Sequence, residues 1–155
     1  MHSRMFTITT NLTPINDYPD EVDFDTAPSV ADYVEPVSRD EWKDDIAWLA
    51  NIYPFKSYEK DGAIYLTIDR KEATDFVGEQ LNKIKSLVEN MTIEDFIGLG
   101  AFRISKILGD EFGFYIMEEG CCGTPVDLWI RDLINMNKKT KKFEFQIIGV
   151  ADYHA

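Results

Sequence analysis

Cysteine and histidine are nearly missing from this chain. Its two cysteines are adjacent, Cys121 and Cys122, and its two histidines, His2 and His154, stand at opposite ends of 155 residues. Adjacent thiols cannot close a long loop, so a disulfide framework is excluded. The same four side chains fall short of the three or four spaced ligands that a structural zinc site needs. A Walker phosphate loop and a dinucleotide fingerprint are also lacking, so neither a metal nor another cofactor is expected. Long hydrophobic runs are missing too: no stretch approaches the roughly 20 apolar residues that span a bilayer. The opening MHSRMFTITTNL is too polar for a secretory signal. The expectation is a soluble, cytoplasmic protein with no membrane partner, in the reducing compartment that suits unpaired thiols.

Positive charge is scarce where negative charge is dense. The chain carries 28 acidic and 16 basic residues, a net charge of −12. Between Asp17 and Asp45, however, there are 11 acidic residues and only two basic ones, Arg39 and Lys43, so nine of the twelve net charges sit in 29 residues. The stretch DYPDEVDFD, with Asp17, Asp20, Asp23 and Asp25 around Glu21, has five carboxylates and no cation. A smaller basic patch, KKTKK at Lys138 to Lys142, reads as an exposed turn. Binding to nucleic acid depends on Lys and Arg neutralising phosphates, and a chain this negative is a poor candidate for direct contact with DNA or RNA.

The length and a hydrophobic share of 45% suit one domain over 1–155. An acidic, proline-containing arm is expected at about 11–37, since Pro14, Pro19, Pro28 and Pro36 fall there and no hydrophobic period is sustained. Strands are expected at Phe6 to Thr9, where apolar and polar residues alternate, and on either side of Asp61-Gly62, a strong hairpin signal. GFYIME and KFEFQIIGV supply two more. Four helix starts are marked by a capping oxygen with an acid three residues on: Ser38/Glu41, Asp69/Glu72, Thr92/Asp95 and Thr124/Asp127, the last with Pro125 at the first helical position. The second helix presents Val77, Leu81, Ile84, Val88 and Met91 as an apolar face. The pattern predicts an α+β fold: a mainly antiparallel sheet of about five strands with about four helices packed on one face.

Two places invite a chemical reading. In EEGCCGTPVD the thiols of Cys121 and Cys122 precede a helix start, where a thiolate can be stabilised. A phosphatase-type loop would need arginine six residues after the cysteine, but Asp127 and Leu128 stand there. The nearby Glu118 and Glu119 would push a thiol pKa up. A small thiol-dependent enzyme using Cys121 or Cys122 is therefore the alternative reading, and two small cysteines filling space at a turn is the simpler one. Asp17 to Asp25 lacks the central glycine and closing glutamate of an EF-hand calcium loop.

The leading expectation rests on the acids. On a helical wheel Trp42, Ile46, Leu49 and Ala50 share one face of the first helix, while Asp40, Glu41, Asp44 and Trp48 share the other. Carboxylates around a tryptophan are the composition of a surface for a basic protein, the acids steering approach and the indole supplying contact area. The candidate partner-binding set is Asp17, Asp20, Glu21, Asp23, Asp25, Asp40, Glu41, Asp44 and Trp48. The composition resembles that of small acidic proteins that mimic DNA to block restriction or CRISPR enzymes. That resemblance implies an inhibitor or adaptor whose partner offers a basic groove, such as a nucleic-acid-binding protein.

Overall fold

The computed structural model describes residues 2–14, 33–109, 113–118, 123–136 and 138–154. Its architecture is α+β, four helices against an open, mixed sheet. Strand β1 is His2–Thr9, β2 Tyr33–Pro36, β3 Lys56–Lys60, β4 Ala63–Asp69, β5 Phe114–Glu118, β6 Thr124–Pro125 and β7 Lys142–His154. Helix α1 spans Trp42–Ile52, α2 Arg70–Glu89 and α4 Val126–Met136. Between them α3 runs without a break through an α-turn at Ile93–Asp95, a π-helical stretch at Phe96–Gly100 and an α-helix at Ala101–Gly109.

The strand order is β3-β4-β7-β1-β5-β6, with β2 also paired to β7. All pairs are antiparallel except β1 with β5, which run parallel from Arg4↔Phe114 to Ile8↔Glu118. The sheet is thus mixed and has seven strands rather than the five expected from the sequence. The two extra strands are short. β2 lies at the end of the proline-containing segment and pairs with the last residues of β7, and β6 is formed by the Thr124–Pro125 pair opposite Tyr115 and Ile116.

β7 organises the whole sheet. It takes β4 along its first half and β2 along its second, with β1 on its other edge. The register against β1 slips between Thr7/Gly149 and Ile8/Ile147, which leaves Ile148 as the extra residue of a bulge. A side-chain alternation cannot survive an added residue. Accordingly Phe143, Phe145 and Ile147 enter the core from odd positions, and Val150 enters it from an even one.

The hairpin between β3 and β4 turns where the sequence predicts. Asp61 and Gly62 both have positive φ, 51° and 78°, the pair of left-handed residues that a tight two-residue turn requires. β3 is exposed along its length and carries Lys56, Glu59 and Lys60, charges that keep an open sheet edge from pairing with other chains. The central strands are buried on both faces. Phe6, Ile8, Ile64, Leu66 and Ile116 meet the helices, while Met5, Thr7, Tyr65, Thr67 and Gln146 are buried on the other side.

The helix starts differ from the capping pattern in three of four cases. Only Thr92 and Asp95 form the expected reciprocal box. Helix α1 begins at Trp42, because Ser38 to Glu41 forms a preceding turn closed by the Glu41 amide donating to the Ser38 carbonyl at 3.0 Å. Asp69 precedes α2 but its side chain caps nothing. Thr124 and Pro125 are taken by the sheet, so α4 begins at Val126 and Asp127 turns inward.

The apolar face read on α2 meets the core only at its start. Ala73 and Gln80 are its buried residues, with Phe76 and Val77 packed against the core cluster. Leu81 and Val88, predicted to be core-facing, are half exposed. The stripe is real, but Leu87 and Met91 toward its end line a groove beside α3.

Candidate interaction surface on the first helix

The turn that leads into α1 is tied down from three sides. The Val37 amide donates to the Val150 carbonyl at 2.9 Å, and the Trp42 indole N–H donates to the Val37 carbonyl at 2.9 Å. Arg39 lies over the Trp42 ring, 4.8 Å from its centroid, and its guanidinium donates to the Gly62 carbonyl in the β3–β4 turn. A cation held over an indole and bonded to a carbonyl is a fixed post. Asp40 and Glu41 follow it directly and are exposed.

Within the helix, adjacent carboxylates take opposite roles. Asp45 is buried and accepts a hydrogen bond from Arg4 Nε at 3.0 Å, while Arg4 Nη1 reaches Asp152 at 2.8 Å. Burial works against the Arg4 charge, but Asp45 and Asp152 outweigh it and hold its pKa above the ordinary value. The pair pins the start of α1 to β1. Arg4→Met, which keeps the bulk and removes the charge, should destabilise the fold by about 2 kcal/mol, because a charged hydrogen bond is lost and Asp45 is left buried. Equilibrium urea unfolding would check this, and an unchanged midpoint would show that the pair contributes nothing net.

Asp44, one residue earlier, faces solvent. The helix's lysine, Lys43, pairs with Glu59 of β3 at 2.9 Å, and that pairing lowers the Glu59 pKa. Among the described residues no cation is paired with Asp40, Glu41 or Asp44, so their charges stand uncompensated. Trp48 lies one turn beyond Asp44 on the same face and is 51% exposed. Its ring stands edge-on to the buried Phe114, 4.8 Å between centroids at 80°. One side of the indole is therefore fixed by the core and the other is open.

Asp40, Glu41, Asp44 and Trp48 are thus brought together on one exposed face. Asp17, Asp20, Glu21, Asp23 and Asp25 lie outside the described residues, as do Cys121 and Cys122. Among the described residues no three His, Cys, Asp or Glu side chains are grouped so as to hold a metal ion, and no helix is long and apolar enough to cross a membrane.

One polar cluster was not foreseen. Asp127 is 1% exposed and accepts a hydrogen bond from the Tyr53 hydroxyl at 2.8 Å and another from Gln80 Nε2. Burial raises its pKa against the opposing pull of those bonds and of Arg131, whose Nε donates to the Asp127 carbonyl at 3.1 Å. The cluster links the end of α1, the middle of α2 and the start of α4. Its sequence sign is slight: an acid in a helix's first turn ordinarily reads as a partner for the helix dipole. A scan of protein-family models and searches of curated proteins and of solved structures find no match to this chain.

Proposed function

We propose that this is a non-catalytic binding protein, an inhibitor or adaptor whose first helix docks against a basic groove of a protein partner, a groove of the kind built to hold nucleic acid. The observation that carries the reading is Trp48: a large aromatic, half exposed, held on one edge by Phe114 and flanked by exposed, uncompensated carboxylates. Leaving an indole half in water forgoes much of the free energy its burial would supply, and aromatic anchors of this kind dominate protein interfaces. The acids act at longer range. Clustered charge of one sign speeds encounter with a basic surface, while the buried anchor sets how long the complex lasts.

The test separates the two contributions. The immobilised chain is used to capture proteins from a cell lysate at low salt, and the retained protein's kinetics are then measured. Changing Asp40, Glu41 and Asp44 together to their amides should slow association on the order of tenfold at low salt and much less at high salt, where screening removes steering. Trp48→Ala should instead hasten dissociation by on the order of tenfold or more, as expected for the loss of an anchor contributing about 2 kcal/mol. A captured partner that binds the charge variant and Trp48→Ala as it binds the parent would overturn the assignment of this face.

A further inference from the structure

Most of the apolar surface left in water lies in one place. Among the described residues, 13 large hydrophobic side chains are exposed, and eight of them fall between Leu81 and Leu108, on the hairpin of α2 and α3. Ile97 is 78% exposed and Ile93 74%, with Phe96, Leu99 and Phe102 all above half. Between the two helices runs a groove of about 1020 Å³, floored by Leu87, Met91, Phe102 and Ile107. Contiguous apolar surface of this kind marks an interface far more often than scattered single residues do.

The groove is built into the backbone. A Cβ at Gly100 would meet Met91 Sδ at 2.6 Å and crowd the Asp95 carbonyl at 3.0 Å, so a larger residue there would displace the Met91 side chain from the bend. The π-helical stretch Phe96–Gly100 sits at that point. Phe96, Ile97 and Leu99 within it are all more than half exposed, and such insertions recur at functional positions.

We infer that the hairpin of α2 and α3 is the interface of a two-fold dimer, in which a second copy of this chain lays its own hairpin across the groove to complete a four-helix bundle. Three observations select a second copy. The first is charge. From Arg70 to Gly109 there are six acidic and six basic residues, a neutral segment in a chain of net charge −12. Two copies meeting through this segment avoid the repulsion that would oppose contact between their strongly acidic Asp17–Asp45 regions.

The second observation is self-complementarity. Lys83, Arg103 and Lys106 line the groove together with Glu94 and Asp95. A two-fold interface sets each patch against its own copy, so it needs both signs on one surface, as here. The third is area. Eight large side chains exposed by 40% to 78%, of which Leu99 and Phe102 line the groove and the others lie elsewhere along the hairpin, leave roughly 100 Å² each, so the hairpin as a whole offers roughly 800 Å², the scale of one partner's share of a standard interface. Two helical hairpins packed face to face also meet the geometry of a four-helix bundle. The inference stands apart from the acidic face of α1, which it leaves free.

The experiment is sedimentation equilibrium on the full chain from low to high micromolar concentration. The expected mass rises from 17.9 kDa to twice that value. Ile97→Asp, at a position so exposed that the monomer's fold does not depend on it, should hold the mass at the monomer value. Ile97→Asp combined with Phe102→Asp is the stronger second variant, and circular dichroism verifies that both stay helical. Three results would overturn the dimer: a parent that stays monomeric at high micromolar concentration, a dimer that survives the double Asp variant, or a monomeric parent that floats with phosphatidylcholine vesicles and loses this with Ile97→Asp, which would assign the face to lipid. Failure of the α1 variants to alter partner kinetics would leave these masses unchanged, so the two readings fail separately.

Discussion

Phe114→Ala is expected to lower the stability of the chain by about 3–5 kcal/mol, the range for removing a fully buried aromatic ring. Phe114 is 2% exposed and opens β5, where its backbone pairs with Arg4 of β1. Its ring stacks on Phe6 at 6.1 Å and meets Tyr53 edge-on at 6.1 Å and Trp48 at 4.8 Å. It therefore joins the parallel pair of strands to the second half of α1 and the residue that closes it, and the cavity left by alanine would be walled by rings with little freedom to collapse. Urea unfolding should show a lower midpoint with an unchanged slope. A loss below 1 kcal/mol would mean that the helix closes over the gap.

The milder Phe114→Leu separates stability from function. It restores most of the volume, so its cost should be nearer 1 kcal/mol, yet it removes the aromatic edge on which Trp48 rests. Under the proposed function this variant folds and still binds its partner, but the complex dissociates faster because the indole is no longer held in one orientation. The substitution thus links a core contact to the behaviour of an exposed side chain.

Local patterns in the sequence survived folding better than long-range ones. The turn at Asp61-Gly62 is decided by two residues that tolerate positive φ, and the placing of Asp44 and Trp48 a turn apart on the outer side of α1 is decided by helical periodicity, so both were legible; Asp40 lies in the turn before the helix, outside that period. Asp45 was not, because its inward role depends on Arg4, 41 residues away. The parallel pairing of β1 and β5 leaves no mark on either strand's own alternation. β2 was hidden by its setting, since a four-residue strand ending in Pro36 at the sheet edge carries no period to detect. The stripe on α2 shows the complementary limit. Periodicity reports that a helix has an apolar face, but not whether the core of the same chain or another molecule covers it. Here the first half of the stripe is covered and the second is not.

Asp127 is where a carboxylate was read as a helix-start signal and instead holds three helices together, and its replacement gives the second large effect. Asp127→Ala removes the acceptor used by the Tyr53 hydroxyl and by Gln80 Nε2, so both buried donors lose the bonds they make to it. Gln80 Oε1 is already buried without a partner. Orphaning donors of this kind costs about 1–3 kcal/mol each, so a loss of about 2–5 kcal/mol is expected. Asp127→Asn behaves differently. Its amide oxygen can accept from Tyr53, and with the Gln80 amide turned over its amide nitrogen can donate to Gln80 Oε1, so the cluster keeps two hydrogen bonds without a buried charge. The pH dependence then reports on the carboxylate itself. Burial raises the Asp127 pKa in the folded state above the ordinary 3.8, so between those two values the folded chain holds a proton that the unfolded chain has released. Stability from this group is therefore fully present below 3.8 and is lost as pH rises through the raised value. Measured by urea unfolding across a pH series, the parent should lose stability relative to Asp127→Asn through that window and then run parallel to it. A gap that stays flat, or that moves in the parent's favour as pH rises, would mean that the bonds from Tyr53 and Gln80 and the charge of Arg131 outweigh the cost of burying the Asp127 carboxylate.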